Sequence, residues 1–294
     1  MLFRSGSDGA GDVINQVLDA DKIAGTAVYK ITPTLNDCVG KAINVTINVN
    51  PLPLPLIVDG VICVEQSTGN TYKTYVLDTG LSKANHSFDW YYDTVKINGS
   101  LGNTYEAKNE GVYSVIATNK TTGCVSEEVS ATVIENYPAD SFTTTISNAF
   151  SENASITVSV IGGTGPFLYQ LDNGISQSEN VFNNVSGGTH KVTLSDEQGC
   201  TQLIQDVIVV DYPKFFTPNG DGLNDVWNIK GLANSKVDIY DRYGKLIKQI
   251  DTSKQGWDGS LNGHDLPSTD YWFAIEYIES NIQKIFKAHF SLKR

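Results

Sequence analysis

The chain has 294 residues, with 33 acidic and 21 basic side chains and a formal net charge of −12. This balance argues against a nucleic-acid-binding protein, because neutralising phosphates requires clustered Lys and Arg. Hydrophobic residues make up 40% of the chain and charged residues 18%, which argues against wholesale disorder. Every apolar run is far shorter than the ~20 residues of a membrane-spanning helix.

The first residues lack the apolar stretch of a secretory signal peptide. Two explanations fit, a cytoplasmic protein or the C-terminal part of a longer exported chain, and the rest of the sequence favours the second. A helical period is weak and confined to residues 13–18, whereas alternation with a period of two is frequent. Ile43, Val45 and Ile47, for example, alternate with polar residues, a pattern that predicts a strand.

An internal repeat organises most of the chain. Three times, an apolar run leads through a turn to a cysteine, and a further apolar run then ends at a proline. The cysteines are Cys38, Cys124 and Cys200, and the prolines are Pro51, Pro138 and Pro213. The repeat therefore predicts three modules that end in the same hairpin, followed by a fourth segment.

The predicted modules are residues 1–51, 52–138, 139–213 and 214–294, the last two called here the third module and the terminal module. The first is too short for a complete β-sandwich, so we expect it to be the C-terminal half of a domain that begins upstream. The predicted fold is all-β, with tandem Ig-like β-sandwich modules in a row ending in a small β-sandwich. Prolines in residues 50–56 predict an extended connector, and an edge strand interrupted by prolines is the alternative.

The second module contains Cys63, Trp90 and Cys124 in that order. A cysteine on each side of a tryptophan is typical of Ig-like domains, in which a disulfide between the sheets packs on a buried indole. We therefore predict a bridge between Cys63 and Cys124, which would place the domain outside the cytoplasm. The alternative is two separately buried thiols.

The three repeated modules resemble families of exported bacterial proteins. Residues 25–33 (GTAVYKITP) are similar to the PKD-like repeat of Bacteroidetes proteins, and the second module resembles the Ig-like repeats of the same surface proteins. Residues 162–169 (GGTGPFLY) and 187–190 (GGTH) resemble the SprB-type repeat of gliding adhesins. These resemblances imply spacing and display at the cell surface rather than chemistry.

The terminal module carries four ordered motifs and a characteristic end. Their residues are Phe216, Pro218, Asn219, Gly220, Asp221, Gly222 and Asp225, then Asp241, Arg242 and Gly244, then Trp257, Asp258 and Gly259, then Tyr271 and Trp272, and finally Leu292, Lys293 and Arg294.

Over its full length this module resembles the gliding motility-associated C-terminal domain, the type B sorting signal of the type IX secretion system. The resemblance identifies those residues as a secretion-signal motif. It implies recognition by the secretion translocon and by shuttle components similar to SprA and PorV. It also implies an outer-membrane partner similar to PorP or SprF.

Two hairpins are predicted in the terminal module, one around residues 241–244 and one around residues 280–281. The strand that ends at the C-terminus would offer an edge for β-augmentation by a partner. Exposed Trp and Tyr side chains would supply anchors for that partner. The alternative is that these aromatic side chains fill a small core.

The loop at residues 219–225 alternates glycines with side-chain oxygens. Its possible calcium ligands are Asn219, Asp221, Asn224 and Asp225. The loop departs from the EF-hand pattern, because Leu223 and Asn224 occupy positions of an oxygen ligand and of the invariant glycine. A tight Asx turn is therefore the favoured role, with calcium binding as the alternative.

We predict no active site, because the four histidines are scattered and the metalloprotease and α/β-hydrolase motifs are missing from the sequence. Two functions fit. One is the C-terminal stalk and export signal of a cell-surface adhesin that binds an extracellular polysaccharide or another surface. The other is an accessory or carbohydrate-binding tail of a secreted enzyme. The SprB-type repeat together with the type B signal favours the adhesin.

The net charge is divided unevenly between repeats and terminal module. Residues 1–213 have a net charge of −13, and residues 214–294 have a net charge of +1. Repulsion among the acidic repeats suits an extended stalk, and a nearly neutral, aromatic terminal module suits a docking surface.

Overall fold

The computed structural model describes residue 18, residues 23–99 and residues 102–294. Within these ranges every regular element is a β-strand, which confirms the predicted all-β fold class. None of the described residues forms a helix that could cross a membrane. The weak helical candidate at residues 13–18 lies outside the described ranges, apart from Leu18. The chain divides into two compact units, Met1–Asn136 and Tyr137–Arg294.

Twelve strands are described in the first unit. They are β1 (Gly25–Ile31), β2 (Thr34–Leu35), β3 (Cys38–Val39), β4 (Ile43–Val49), β5 (Gly60–Val64), β6 (Thr71–Lys73), β7 (Tyr75–Asp78), β8 (His86–Tyr92), β9 (Val95–Lys96), β10 (Thr104–Ala107), β11 (Gly111–Asn119) and β12 (Val129–Asn136). Strands β1 and β4 form an antiparallel hairpin, in which Gly25 lies opposite Val49. Residues 50–59, which contain the prolines of the predicted connector, form no strand.

Strands β5 to β12 form two sheets with a shared aromatic interior. The larger sheet has the order β6-β5-β12-β11-β8-β9, and β7 pairs with β10 in the smaller one. Trp90 of β8 is fully buried, and its Nε1 donates to the carbonyl oxygen of Gly102 at 3.0 Å. The ring of Tyr105 from β10 lies 5.7 Å from that of Trp90 and 5.6 Å from that of Tyr113, centroid to centroid.

The predicted disulfide between Cys63 and Cys124 is wrong, because Cys124 is a free, half-buried cysteine. The strand register explains why. Strand β5 pairs in parallel with β12, and Cys63 lies opposite Asn136 at the end of β12. Asn136 lies seven residues (136 minus 129) beyond the start of β12 at Val129, which is about 23 Å along an extended strand. Cys124 comes before Val129 and therefore lies at the other end of that strand. A disulfide requires Cα atoms within roughly 7 Å, so this pair provides no argument about the compartment.

The second unit has thirteen described strands. They are β13 (Ser141–Ile146), β14 (Ser155–Ile161), β15 (Phe167–Leu171), β16 (Val181–Asn183), β17 (Gly188–Asp196), β18 (Gln202–Val209), β19 (Phe215–Phe216), β20 (Lys236–Tyr240), β21 (Leu246–Asp251), β22 (Ser260–Leu261), β23 (His264–Asp265), β24 (Asp270–Glu279) and β25 (Ile282–Leu292). Residues 141–209 form two three-stranded sheets, β13-β14-β16 and β15-β17-β18. Alternate apolar side chains from both sheets fill one core between them.

The terminal module is built on a five-stranded sheet with the order β19-β25-β24-β20-β21. Both predicted hairpins are present in it. Val237 lies opposite Ile250 across the first turn, and Glu279 lies opposite Ile282 across the second. One face of this sheet covers an aromatic core, and the other face is open.

Candidate functional site

The residues of the secretion-signal motif fall into three groups in the terminal module. The first group lies in the core or closes it. Phe216, Trp257, Tyr271 and Leu292 are almost fully buried. The ring of Trp257 lies 5.7 Å from that of Phe216 and 5.1 Å from that of Tyr271. These motif residues therefore hold the module together, as the core-filling alternative for its aromatic side chains expects.

The chain terminus is fastened to this core. Strand β19 pairs in parallel with the end of β25, so that Phe216 lies opposite Leu292. The Lys293 N–H then donates to the Phe216 carbonyl oxygen at 3.0 Å. The Arg294 guanidinium donates to the Gly259 carbonyl oxygen at 3.2 Å and pairs with Asp265 at the same distance. The last three residues are thus structural parts of the module.

The motif segment at Trp257 pairs with Trp227, a tryptophan just beyond the first motif segment. The backbones of Trp227 and Trp257 exchange two hydrogen bonds of 2.8 Å. Gly259 follows with a φ of +77°, and a side chain there would clash with the Leu292 methyl group. Glycine is therefore required at position 259, directly after Asp258. It is needed both for its backbone conformation and for the close approach of the terminal strand.

The second group of motif residues forms the loop between β19 and β20. The Asp225 carboxylate accepts N–H groups of Gly220 at 2.6 Å, Gly222 at 2.7 Å and Asn219 at 3.0 Å. These bonds, the one from Gly220 above all, lower the pKa of Asp225. Asp221 in turn accepts the Leu223 N–H and the Asn219 side-chain amide. The loop is thus a nested set of Asx turns.

This arrangement bears on the calcium alternative for residues 219–225. Both carboxylate oxygens of Asp225 and both of Asp221 already accept hydrogen bonds from the loop itself. Asn224 has a positive φ, and its carbonyl oxygen accepts the Thr217 N–H at 2.8 Å. A cation would have to compete with these donors, so the geometry fits an Asx loop better than a calcium site.

The third group lies in the β20–β21 turn and on the open face of the sheet beside it. Asp241 closes the β20–β21 turn, because its Oδ1 accepts the N–H groups of Tyr243 and Lys245, each at 2.9 Å. Gly244 supplies the positive φ of 80° that this turn needs. Arg242 at the tip lies over the Tyr243 ring at 5.1 Å. Three residues of this turn, Asp241, Arg242 and Gly244, line a depression of about 540 Å³ together with Trp272 of β24.

Sequence reasoning missed several residues that build this site. Tyr240, Ala274 and Lys287 also line the depression. Their signal was the period of two in β20, β24 and β25, which places every second residue on the face opposite the core.

Sequence reasoning also missed Phe150 of the third module, which is a member of the terminal core. Its ring stacks on Phe286 at 4.2 Å and meets Tyr277 edge-on at 5.2 Å. The Ala149 N–H donates to Glu279 at 2.6 Å, and this bond, followed by the one from Lys284, lowers the pKa of Glu279.

Packing also continues across the predicted boundary at residue 214. The ring of Tyr212 lies 4.8 Å from that of Phe273. The indole of Trp227 donates to the Pro213 carbonyl oxygen at 2.8 Å, and Asp211 and Lys230 form an isolated β-bridge. Residues just before Lys214 therefore belong to the packing of the terminal module.

Residues 210–292 match the model of the CHU_C type IX secretion signal domain. The chain therefore carries a type IX secretion signal, which indicates recognition by the secretion machinery and export through the outer membrane to the cell surface or the extracellular space. The match begins before Lys214, as the contacts of Tyr212 and Asp211 do. No curated protein is similar to this chain.

Several solved structures share weak similarity with the chain. Sidekick-1 immunoglobulin domains 1–5 are 11% identical over 90% of this chain and 66% of theirs, with a TM-score of 0.31. Dimeric latent PorU from Porphyromonas gingivalis is 12% identical over 80% of this chain and 32% of its own, with a TM-score of 0.19. PorZ, a type IX secretion surface component of the same bacterium, is 14% identical over 79% and 32%, with a TM-score of 0.24. Likenesses this weak carry no argument about function.

Proposed function

We propose that this chain is the C-terminal stalk and export signal of a large cell-surface adhesin. The observation that carries the proposal is a type IX secretion signal at residues 210–292 preceded by acidic β-modules. In this proposal the terminal module is recognised by the secretion system, and the modules before it display an upstream adhesive region during gliding motility.

The module assignments made from the sequence belong to this proposal. Residues 1–51 would be part of a PKD-like repeat, residues 52–138 an Ig-like repeat and residues 139–213 an SprB-type repeat. Two observations suit a spacer: a paired hairpin at β1 and β4, and two sheets around one core at residues 141–209. The excess negative charge of residues 1–213 would keep the modules apart from one another and from acidic surfaces.

We propose that the chain acts by binding rather than by catalysis. His190, the most enclosed histidine, is held by Asp172 at 2.8 Å and by the Ser186 carbonyl oxygen at 2.7 Å. His86 contacts the Ser82 carbonyl oxygen at 3.2 Å. These contacts support structural roles for both side chains. The proposed partners are translocon and shuttle components similar to SprA and PorV, an outer-membrane protein similar to PorP or SprF, and an extracellular polysaccharide or another surface as adhesive target.

An accessory or carbohydrate-binding tail of a secreted enzyme is the second candidate. Both candidates include the same export signal, and they differ only in the kind of domain expected upstream of this chain. Further β-repeats upstream would support the adhesin, and a catalytic domain upstream would support the enzyme tail.

The export proposal is tested with the chain fused behind a periplasmic-targeting signal and a fluorescent reporter. The fusion is expressed in a bacterium that has the type IX secretion system and in a matched strain that lacks it. We expect the reporter at the surface or in the medium only in the first strain. A control chain that ends at residue 209 should stay in the periplasm of both strains. Periplasmic retention of the full chain in the competent strain would overturn the proposal.

A further inference from the structure

We propose that the depression on the open face of the terminal sheet binds an extended, acidic segment of the protein that recognises the signal. This inference rests on the proposed export function and names the chemistry of the partner at that site. The surface is called the Trp272 depression below. It is lined by Tyr240, Asp241, Arg242, Gly244, Trp272, Phe273, Ala274 and Lys287.

Strand register builds the depression from two rows of outward side chains. Tyr240, Trp272 and His289 lie opposite one another on β20, β24 and β25 and form an aromatic row. The rings of Trp272 and His289 are 6.2 Å apart, centroid to centroid. The next row contains Ala274 in its centre, with Lys287 on one side and Asp238 on the other. Because alanine has only a methyl group, it leaves a hollow in the surface beside the Trp272 indole. The volume of the depression, about 540 Å³, lies within the ~300–1,000 Å³ of ligand pockets.

Trp272 is the side chain of this surface with the most apolar area to bury. Its side chain is 41% exposed, whereas Trp227 and Trp257 in the same module are almost fully buried. A large flat side chain left half-exposed beside a depression has the character of an interface hot spot, a role in which Trp, Tyr and Arg are enriched. Phe273, the next residue, points into the core and holds the strand in register.

The charges around the depression favour an acidic ligand. Arg242 and Lys287 line it, and neither forms an ion pair with any residue in the described ranges. The one carboxylate in the lining, Asp241, accepts two backbone N–H groups of its own turn through Oδ1 and keeps its negative charge. The lining therefore carries two cations and one anion, which leaves it with a formal net charge of +1 (two minus one). Carboxylates of a partner would pair with the guanidinium and the ammonium.

Two more carboxylates lie on the same face, Asp238 directly beside Ala274 and Glu276 two residues farther along β24. Asp238 accepts the Gln249 side-chain amide at 2.8 Å, and Glu276 accepts that of Gln283 at 3.2 Å. These two carboxylates keep their negative charge but do not line the depression, so the positive excess is confined to its lining. The net positive charge of the lining is what favours an acidic ligand over a basic one here.

An extended segment fits the shape of this surface. Side chains on one side of an extended strand recur about every 7 Å, the same distance that separates the aromatic row from the row of Ala274 and Lys287 along β24. One apolar side chain over Ala274 would contact the indole, and acidic side chains on either side would reach Arg242 and Lys287. Such a ligand uses the aromatic and the cationic parts of the depression together.

The first test measures export of the full chain with substitutions in the depression. The test variants are Trp272→Ala, Arg242→Glu and Lys287→Glu, with Ile278→Ala and Lys254→Glu as controls. Ile278 lies on the same strand, 71% exposed and outside the depression, and Lys254 is an exposed lysine elsewhere in the module. We expect each test variant to reduce the amount of reporter at the cell surface at least about tenfold, as loss of a hot-spot contact does. The control variants should be exported as well as the parent chain. An unchanged thermal midpoint shows that each variant is folded.

The second test identifies the chemistry of the partner. A photo-crosslinking residue replaces Trp272 in the full chain, or Ile278 as control, and the crosslinked species are mapped by mass spectrometry. We expect an outer-membrane protein peptide with Asp or Glu near the crosslink, obtained from position 272 and not from position 278. A crosslink to a glycan or to a peptide without acidic residues would overturn the inference, and so would normal export of all three test variants. Retention of the unsubstituted chain in the periplasm would instead overturn the export function itself.

Discussion

Phe150 is the side chain through which the third module enters the core of the terminal module. It is 6% exposed, and its ring touches Phe286 and Tyr277. Replacing a buried Phe by Ala costs about 3–5 kcal/mol of unfolding free energy. Phe286 is itself only half-buried, so the space left by the ring opens towards solvent. We therefore expect Phe150→Ala to destabilise the terminal module by about 3 kcal/mol, at the low end of that range.

The backbone at this position offers a matched second variant. Phe150 has a φ of 62°, a conformation that costs a residue with a Cβ roughly 1–2 kcal/mol and costs glycine nothing. Phe150→Gly removes the same ring but relieves this strain. We expect it to be less destabilising than Phe150→Ala by about 1 kcal/mol.

The assay is chemical unfolding of the full chain followed by tryptophan fluorescence, because three of its four tryptophans lie in the terminal module. The control is Ile175→Ala, a 94% exposed side chain of the third module. Its effect should stay within about 0.5 kcal/mol. A loss below about 1 kcal/mol for Phe150→Ala would refute the packing, given the usual cost of a buried ring. An alanine variant as stable as the glycine variant would refute the strain.

Four further predictions concern the terminal module and the cysteines. Gly259→Ala should lower the unfolding free energy of the terminal module by at least about 2 kcal/mol, because it adds a clash with Leu292 to a strained φ; an effect within error in the same unfolding assay would contradict this. The lowered pKa of Asp225 stabilises the fold above the ordinary Asp pKa of about 3.9 and ceases to do so as pH falls through the folded value. Asp225→Asn should therefore lower the thermal midpoint at neutral pH, with the difference from the parent shrinking in acid, and a difference independent of pH would refute the assignment. Calcium in place of magnesium should leave the thermal midpoint unchanged, since the loop carboxylates are already occupied; a saturable rise would instead establish the calcium alternative. Cys124 should be alkylated under native, non-reducing conditions, as a free cysteine is, and protection of Cys124 until the chain is unfolded would restore the case for its disulfide.

Local sequence patterns were sufficient for the hairpins. The turn at Asp241 and Gly244 carries its own hydrogen bonds and its own positive φ, so the residues that decide it are adjacent in sequence. The second hairpin likewise turns at Ser280 and Asn281, which both have positive φ. Such features are readable from a single chain because their energetics are local.

Long-range pairing was the part that the sequence did not reveal. Whether Cys63 meets Cys124 depends on the direction of β5 beside β12, and the parallel pairing carries Cys63 to the far end of that strand. Phe150 is similar, because nothing near it in sequence indicates that its ring belongs to the core of another module. Both outcomes are set by packing between segments far apart in the chain.

The exposure of Trp272 depends both on the local alternation of its strand and on the packing of that strand against the core. Trp257 and Trp272 both belong to the secretion-signal motif, yet one is buried and the other half-exposed. The alternation of β24 decides this, because Tyr271, Phe273 and Ile275 all point into the core and residue 272 must then point away from it. The motif thus contains two kinds of residue, buried residues that stabilise the fold and exposed residues that a partner could contact. Since the buried ones are needed for folding whatever the partner, the exposed Trp272 and Arg242 are where recognition can be tested without unfolding the module.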